Sequence, residues 1–189
     1  MPPKVKITKE EIVSAALSLV REKGEGAMNV RAVATALGCS TQPVFSNFAT
    51  MGELKEAVIR AAYEYYYAFL KDEVASAQHP PYKAYGMAYI RFAAAEHKLF
   101  QLLFMRDRTG EDLTPTPDFE QSVTMIMQAN GVNAETARLM HLEMWSCVHG
   151  IATMHVTSFL SLDMALISRM LSDVYQGVRA RYATEEGAK

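Results

Sequence analysis

The chain has 189 residues, of which half are apolar and only 10 are Gly and 7 Pro, a composition that indicates a globular protein and excludes a disordered one. This length accommodates one or two domains with a substantial buried core. The net charge of −2 is unevenly distributed, because residues 1–60 carry eight Lys or Arg and six Asp or Glu, whereas residues 61–189 carry eleven and fifteen. A basic N-terminal end on an acidic body favours phosphate binding at that end.

Two cysteines and one long uncharged stretch bear on where the protein works. Cys39 and Cys147 are far apart in sequence and no signal peptide precedes them, so we expect buried free thiols in a cytoplasmic protein. Residues 145–162 carry no formal charge, but they include two histidines, two threonines and three serines. A buried helix therefore explains this stretch better than a membrane span.

The first predicted helix runs to about Lys23. It opens with a capping box, Thr8-Lys-Glu-Glu11, in which the first and last side chains each bond to the backbone N–H of the other. Ile12 and Ala16 begin an apolar stripe at helical spacing.

The stretch from Val30 to Phe48 has the pattern of a helix-turn-helix. Ala34 is small enough for two helices to cross closely, Gly38 can end the first helix, and Val44 can hold the second helix against the first. Ser40 is the expected N-cap of the second helix.

Side chains of the second helix that do not face inward are candidates for contacting DNA. Gln can bond to the N6 and N7 edge of adenine, Ser and Thr can donate or accept, and Phe can contact a thymine methyl group. An ordinary solvated surface is the alternative for each of them. The predicted DNA-binding residues on and around this hairpin are Arg31, Ser40, Thr41, Gln42, Pro43, Phe45, Ser46, Asn47 and Lys55.

The first third of the chain resembles the TetR family of bacterial transcriptional regulators. The residues that carry the resemblance are Ile12, Ala15, Ala16, Gly24, Val30–Ala34, Leu37, Gly38, Ser40, Val44–Phe48, Glu53 and Leu54. The sequence departs from the family pattern at Phe45, where Tyr is usual, and near Met51, where a basic residue is usual. The resemblance implies a repressor that binds operator DNA and is released by a small molecule.

The arm before the first helix carries Lys4 and Lys6 and shows no helical pattern. It is either a frayed terminus or, as family members often use this segment, an arm that contacts phosphate or the minor groove. We include both lysines among the predicted DNA-binding residues.

The rest of the chain shows helical periodicity and no strand-like alternation of useful length. The predicted helices span about 51–76, 81–95, 99–105, 118–129, 133–158 and 163–182, with Asn130-Gly131 as a strong helix end. The first of these has a predicted inward stripe of Leu54, Val58, Ala61, Ala62, Tyr65, Phe69 and Val74. We therefore predict an all-α protein, with a three-helix DNA-binding domain at residues 1–50 and a helical ligand-binding and dimerisation domain at residues 51–189.

The C-terminal part has the composition of a pocket for a small hydrophobic molecule. Most of the twelve methionines fall there, and Met adapts to irregular shapes, although plain core packing is the alternative. The candidate pocket residues are Met87, Phe92, Phe104, Met105, Met125, Met144, Trp145 and His149. The pairing of residues 89–92 with Trp145 and His149-Gly150 also resembles ligand-binding domains named for a Trp-His-Gly signature.

The last two helices carry apolar residues on more than one face, which favours a homodimer packed through them. The residues concerned are Ile151, Met154, Val156, Phe159, Leu160, Leu166, Ile167, Met170, Leu171, Val174 and Val178. As in the family, two-fold symmetry would then present two recognition helices to a pseudo-palindromic operator.

The sequence favours neither a metal site nor an enzyme. His141 and His149 are eight residues apart, which places them about 12 Å apart along a helix axis, too far for one ion. Glu143 with these histidines is the nearest approach to an acid–base set, so we predict no catalytic residues, no metal and no cofactor. A helical small-molecule-binding or scaffold protein with weak or lost DNA binding is the alternative to a regulator.

Overall fold

The computed structural model describes residues 7–110 and 117–186, without the side chains of residues 117 and 183–186. Lys4 and Lys6 lie outside the described residues. Within the described ranges the regular elements are all helical, which confirms the predicted all-α class. They are α1 (Lys9–Lys23), a 3-10 turn (Glu25–Ala27), α2 (Val30–Ala36), α3 (Gln42–Asn47), α4 (Met51–Ser76), α5 (Pro81–Ala95), α6 (His97–Phe104), α7 (Pro117–Asn130), α8 (Ala134–Val156) and α9 (Met164–Glu186).

The capping box of α1 forms as predicted. The Thr8 side chain accepts a hydrogen bond from the Glu11 N–H at 3.2 Å, and the Thr8 N–H donates to the Glu11 carboxylate at 2.8 Å. The buried face of the helix consists of Ile12, Ala16 and Val20. Both the start and the end of this helix agree with the sequence-based prediction.

The turn between α2 and α3 has the hydrogen bonds of a Schellman motif. The Gly38 N–H donates to the Thr35 carbonyl at 3.1 Å and the Cys39 N–H donates to the Ala34 carbonyl at 3.0 Å. Gly38 has φ of 63°, a left-handed conformation that costs glycine little and other residues more. Gly38 therefore ends α2 as predicted.

The predicted N-cap of α3, Ser40, is wrong. The N-cap is Thr41, and no side chain bonds to the backbone there. Pro43 weakens a Ser40 cap: it would stand at the third helical position, which removes one of the two backbone N–H groups to which the cap can bond.

The long helix α4 has the predicted bounds but a different buried face. Its buried residues are Leu54, Val58, Ala62, Tyr66 and Leu70. Each step of four residues turns the helix slightly beyond one full turn, so this line winds slowly around its axis. The predicted inward stripe correctly included Leu54, Val58 and Ala62. It placed Tyr65 and Phe69 inward, whereas the buried residues are Tyr66 and Leu70.

The chain forms two compact units. The first contains the described residues up to Ala68 together with Glu96–Asp107, and the second contains Phe69–Ala95 together with the described residues from Arg108 onward. Helix α4 thus contributes to both units, and α6 belongs to the unit that holds the helix-turn-helix.

In the first unit, α1 packs against α2 and α6, and α2 packs against α3. The most buried face of α6 consists of Leu99, Phe100, Leu102 and Leu103. The hydrophobic side of α6 therefore contributes to the core of this unit.

In the second unit, α8 is the central helix and packs against α5, α7 and α9. Gly131, with φ of 71°, ends α7 as predicted, and the Asn133 side chain caps α8 by accepting from the Thr136 N–H at 3.0 Å. A Cβ added to Gly86 of α5 would lie 3.3 Å from the Val148 side chain, so the small size of this glycine lets α5 and α8 approach closely.

Among the helices of residues 7–110 and 117–186, none is both long enough and apolar enough to cross a membrane.

Candidate functional site

Helix α3 presents two large side chains outward while its opposite face is buried. Val44 and Phe48 are buried beneath it, which fixes its orientation. On the outer side Gln42 is exposed and the Phe45 side chain is 59% exposed. An exposed phenylalanine beside an exposed amide provides one apolar and one hydrogen-bonding contact, the two kinds that read base edges in a major groove.

The other polar side chains of α3 bond to the protein itself. The Ser46 hydroxyl donates to the Gln42 carbonyl at 2.9 Å. The Asn47 amide donates to the Pro43 carbonyl at 2.8 Å and to the Ile7 carbonyl at 3.4 Å. These bonds stabilise the last turn of the helix, so Ser46 and Asn47 are less available to DNA than Gln42.

The remaining predicted DNA contacts differ in exposure. Arg31 and Ser40 are exposed, whereas Thr41 and Pro43 are partly buried. Lys55 is partly buried and forms an ion pair with Glu25 of the 3-10 turn.

The second unit contains a polar pair between α5 and α8, formed by Tyr89 and His149. Of the two, only His149 was a predicted pocket residue. The Tyr89 hydroxyl lies 2.9 Å from Nδ1 of His149. The Trp145 ring stacks on His149, with ring centroids 4.9 Å apart and planes 11° from parallel. Burial lowers the pKa of His149, so the neutral imidazole is favoured.

A second pair of the same kind lies on the same two helices. The Tyr82 hydroxyl is 2.9 Å from Nδ1 of His141, and the Phe119 ring meets His141 edge-on at 4.7 Å. Burial lowers the pKa of His141 and raises that of Tyr82. The sequence signal for both pairs was the seven-residue spacing of the two tyrosines on α5, which nearly matches the spacing of the histidines on α8.

The predicted pocket residues fall in both compact units. Phe104 and Met105 belong to the first, where Phe104 packs edge-on against Tyr66 at 5.1 Å. The others belong to the second: Met87, Phe92 and Met144 are buried, Met125 and His149 are partly buried, and Trp145 is 45% exposed.

A cleft of about 290 Å³ lies between the end of α4 and α5. Of the predicted pocket residues only Met87 lines it, and Glu73, His79 and Arg91 make its walls polar. Across the described parts of the chain, no group of three or more His, Cys, Asp or Glu side chains is placed to hold a metal ion.

The apolar residues predicted to form the interface of α8 and α9 differ in exposure. Ile151, Val156, Ile167 and Leu171 are buried within the chain, whereas Met154, Leu166, Met170, Val174 and Val178 are partly buried. The exposed apolar surface instead consists of Leu139, Leu142 and Trp145 on α8 and of Phe159 and Leu160 just after it. Phe159 is 80% exposed, which is unusual for a side chain of this size.

Residues 82–174 match the family model described as "Tetracyclin repressor-like, C-terminal domain". Over these residues, just under half of its length, the chain is similar to the TetR family of transcriptional regulators. This confirms the family that the N-terminal motifs indicated.

One curated relative is distant in sequence. The HTH-type transcriptional repressor KstR2 of Mycobacterium tuberculosis is 26% identical over 109 residues, which are 58% of this chain and 54% of KstR2. The chain therefore matches about half the length of this curated relative.

Solved structures support the TetR fold over most of the chain. A TetR variant from Acinetobacter baumannii AYE in complex with minocycline has a TM-score of 0.58 at 15% identity, covering 91% of this chain and 96% of that one. The multidrug binding protein EbrR in complex with imidazole has a TM-score of 0.56 at 16% identity, covering 88% and 93%. At these identities the likeness concerns the fold.

Proposed function

We propose that this TetR-family chain is a ligand-responsive transcriptional repressor. Residues 1–50 bind operator DNA, and residues 51–189 bind a small hydrophobic molecule and a second copy of the chain. The observation that carries the proposal is the exposure of Gln42 and Phe45 on a helix whose other face is buried.

Operator recognition rests on α3 in the major groove. Gln42 bonds to the N6 and N7 edge of adenine, and Phe45 contacts a thymine methyl group. Arg31 and Ser40 contact phosphates, which positions the helix without reading sequence. The expected half-site therefore contains A·T pairs under α3.

The exposed apolar residues of α8 and of the following turn support a homodimer through the last two helices. Leu139, Leu142 and Trp145 leave an apolar surface that a second copy would cover. A two-fold dimer presents its recognition helices to half-sites about 34–36 Å apart, or a multiple of that distance.

The ligand acts by favouring a conformation that does not fit the operator. This requires tighter ligand binding to that conformation, with a coupling of about 1–3 kcal/mol in typical cases. The Tyr89–His149 pair beside Trp145 supplies hydrogen-bonding groups within an aromatic surround, a combination that suits a hydrophobic ligand with one polar group. EbrR is named a multidrug binding protein, and the TetR variant was solved with minocycline, so small-molecule binding by this chain agrees with its structural neighbours.

The test is selection of duplexes from a random pool by purified protein. Enrichment of an inverted repeat whose binding weakens at higher salt supports the proposal, because phosphate contacts release counterions. A Gln42→Ala, Phe45→Ala double variant is the matched comparison, and it should enrich no sequence. Failure of the ligand-free wild type to enrich any duplex at low salt would contradict DNA binding and favour the small-molecule-binding or scaffold alternative.

A further inference from the structure

A cluster of three polar side chains joins α1, α4 and α6 within the first unit. Arg21 lies in the last turn of α1, Tyr65 lies on α4, and Glu96 directly precedes α6. Arg21 Nε donates to both Glu96 oxygens, at 2.8 and 3.0 Å, and its Nη2 also pairs with Glu96. We call these three residues the α1–α6 cluster.

Tyr65 completes the cluster from the side of α4. Its hydroxyl donates to a Glu96 oxygen at 2.9 Å and accepts from Arg21 Nη2 at 2.7 Å. The guanidinium carbon of Arg21 also lies 4.6 Å from the centre of the Tyr65 ring. Each of the three side chains therefore contacts the other two. Such a network is stronger evidence for a defined geometry than one surface ion pair would be.

Glu96 has no local reason to point at α1. It is the N-cap of α6, with non-helical φ of −126° and ψ of 55°, yet its side chain caps no backbone N–H. The Glu96 side chain is only 10% exposed, and its carboxylate bonds to a residue 75 positions earlier. Burial alone would raise the pKa of Glu96, but the hydrogen bonds from Arg21 and Tyr65 lower it, so the carboxylate is charged.

A second contact attaches the start of α6 to α1. The side chain of Lys98 lies over Gly24, where a Cβ would come within 3.5 Å of Lys98 Cδ. The apolar face of α6 packs against α1 as well. Residues 96–107 are thus attached to the helix-turn-helix unit, although the chain on either side of them, at Ala95 and Arg108, belongs to the second unit.

We propose that the α1–α6 cluster is a positioning device that keeps residues 96–107 attached to the DNA-binding unit and thereby sets operator affinity without touching DNA. The proposal rests on the proposed function. It gives Glu96, an acidic residue, a positive role in DNA binding.

The experiment measures binding of a fluorescent duplex, recovered by the random-pool selection, to purified variants. Glu96→Gln should weaken binding about fivefold or more, the lower end of typical coupling between sites. Simple electrostatics predicts the opposite sign, because the substitution removes a negative charge from a DNA-binding protein. Glu120→Gln is the matched control, since Glu120 pairs with Arg138 at 3.3 Å on an exposed surface of the second unit, and it should leave binding unchanged.

A charge exchange separates pairing from the individual charges. Arg21→Glu alone should weaken binding, and Arg21→Glu with Glu96→Arg should recover most of the lost affinity. If Arg21 instead contacts phosphate, the exchange recovers nothing and the proposal is overturned. Duplex binding by Glu96→Gln as tight as wild type would overturn it equally.

Amide hydrogen exchange tests the cluster in the free protein, independently of DNA. Glu96→Gln should reduce protection in the last turn of α1 and throughout α6 together. Reduced protection confined to the first turn of α6 would refute the attachment. If the wild type bound no duplex but exchange changed in both helices, the proposed function would fail while the attachment held.

Discussion

A substitution in the turn that connects α2 to α3 should lower the free energy of unfolding by an amount that can be worked out from the backbone conformation. Gly38 has φ of 63°, and a Cβ added there would meet no atom within 4 Å. Gly38→Ala therefore introduces no clash, and its cost is that of a left-handed backbone, about 1–2 kcal/mol. Alanine also restricts the unfolded chain, which returns about 0.4–1 kcal/mol. The expected net loss in free energy of unfolding is about 1 kcal/mol.

Urea denaturation measures this difference, and Gly26→Ala is its control. A Cβ at Gly26 also meets no atom within 4 Å, but that residue does not adopt a left-handed φ. Gly26→Ala should leave stability unchanged or raise it by up to about 1 kcal/mol. Gly38→Asn should lie between wild type and Gly38→Ala, because Asn tolerates the left-handed region. Equal stability of Gly38→Ala and wild type, or equal losses at both glycines, would refute the reasoning.

Three further predictions concern the second unit. Leu142→Lys places a charge on the exposed surface of α8 and should convert a dimer to monomers in sedimentation while leaving the helical circular dichroism unchanged; a dimer that persists would contradict the assigned interface. The free energy of unfolding should fall as the pH drops below about 6.5, because burial lowers the pKa of His149 and the unfolded state takes up a proton first. Denaturation at several pH values should show a smaller dependence of this free energy on pH in His149→Gln, with part of the dependence remaining because burial also lowers the pKa of His141. An unchanged pH dependence would exclude His149 as its source. Phe92 is fully buried, so Phe92→Ala should cost about 3–5 kcal/mol by denaturation, and a loss below about 1 kcal/mol would show that its surroundings collapse onto the site.

Helix ends were predicted well because their signals are local. The capping box at Thr8 and the helix ends at Gly38 and Gly131 each depend on residues within a few positions, and all three formed as expected. The failure at Ser40 was also local, because Pro43 lacks one of the two backbone N–H groups to which a Ser40 cap could bond.

Contacts distant in sequence were not predictable in the same way. The bond from Arg21 to Glu96 spans 75 residues, and the placement of α6 with the helix-turn-helix depends on it and on apolar packing that any amphipathic helix could make. Nothing in the local sequence distinguishes Tyr66 from Tyr65 as the buried tyrosine either. That choice depends on the slow rotation of a four-residue line around a long helix.

We propose that Gln42 and Phe45 read the base sequence while other residues bind the phosphates. The most direct test is the ratio of affinity for the selected inverted repeat to affinity for a scrambled duplex, measured for wild type and for Gln42→Ala, Phe45→Ala. We expect a large ratio in the wild type and loss of most of it in the double variant. Both proteins should bind scrambled DNA with the same weak, salt-dependent affinity. A double variant that keeps the wild-type ratio would contradict the assignment of α3 as the recognition helix.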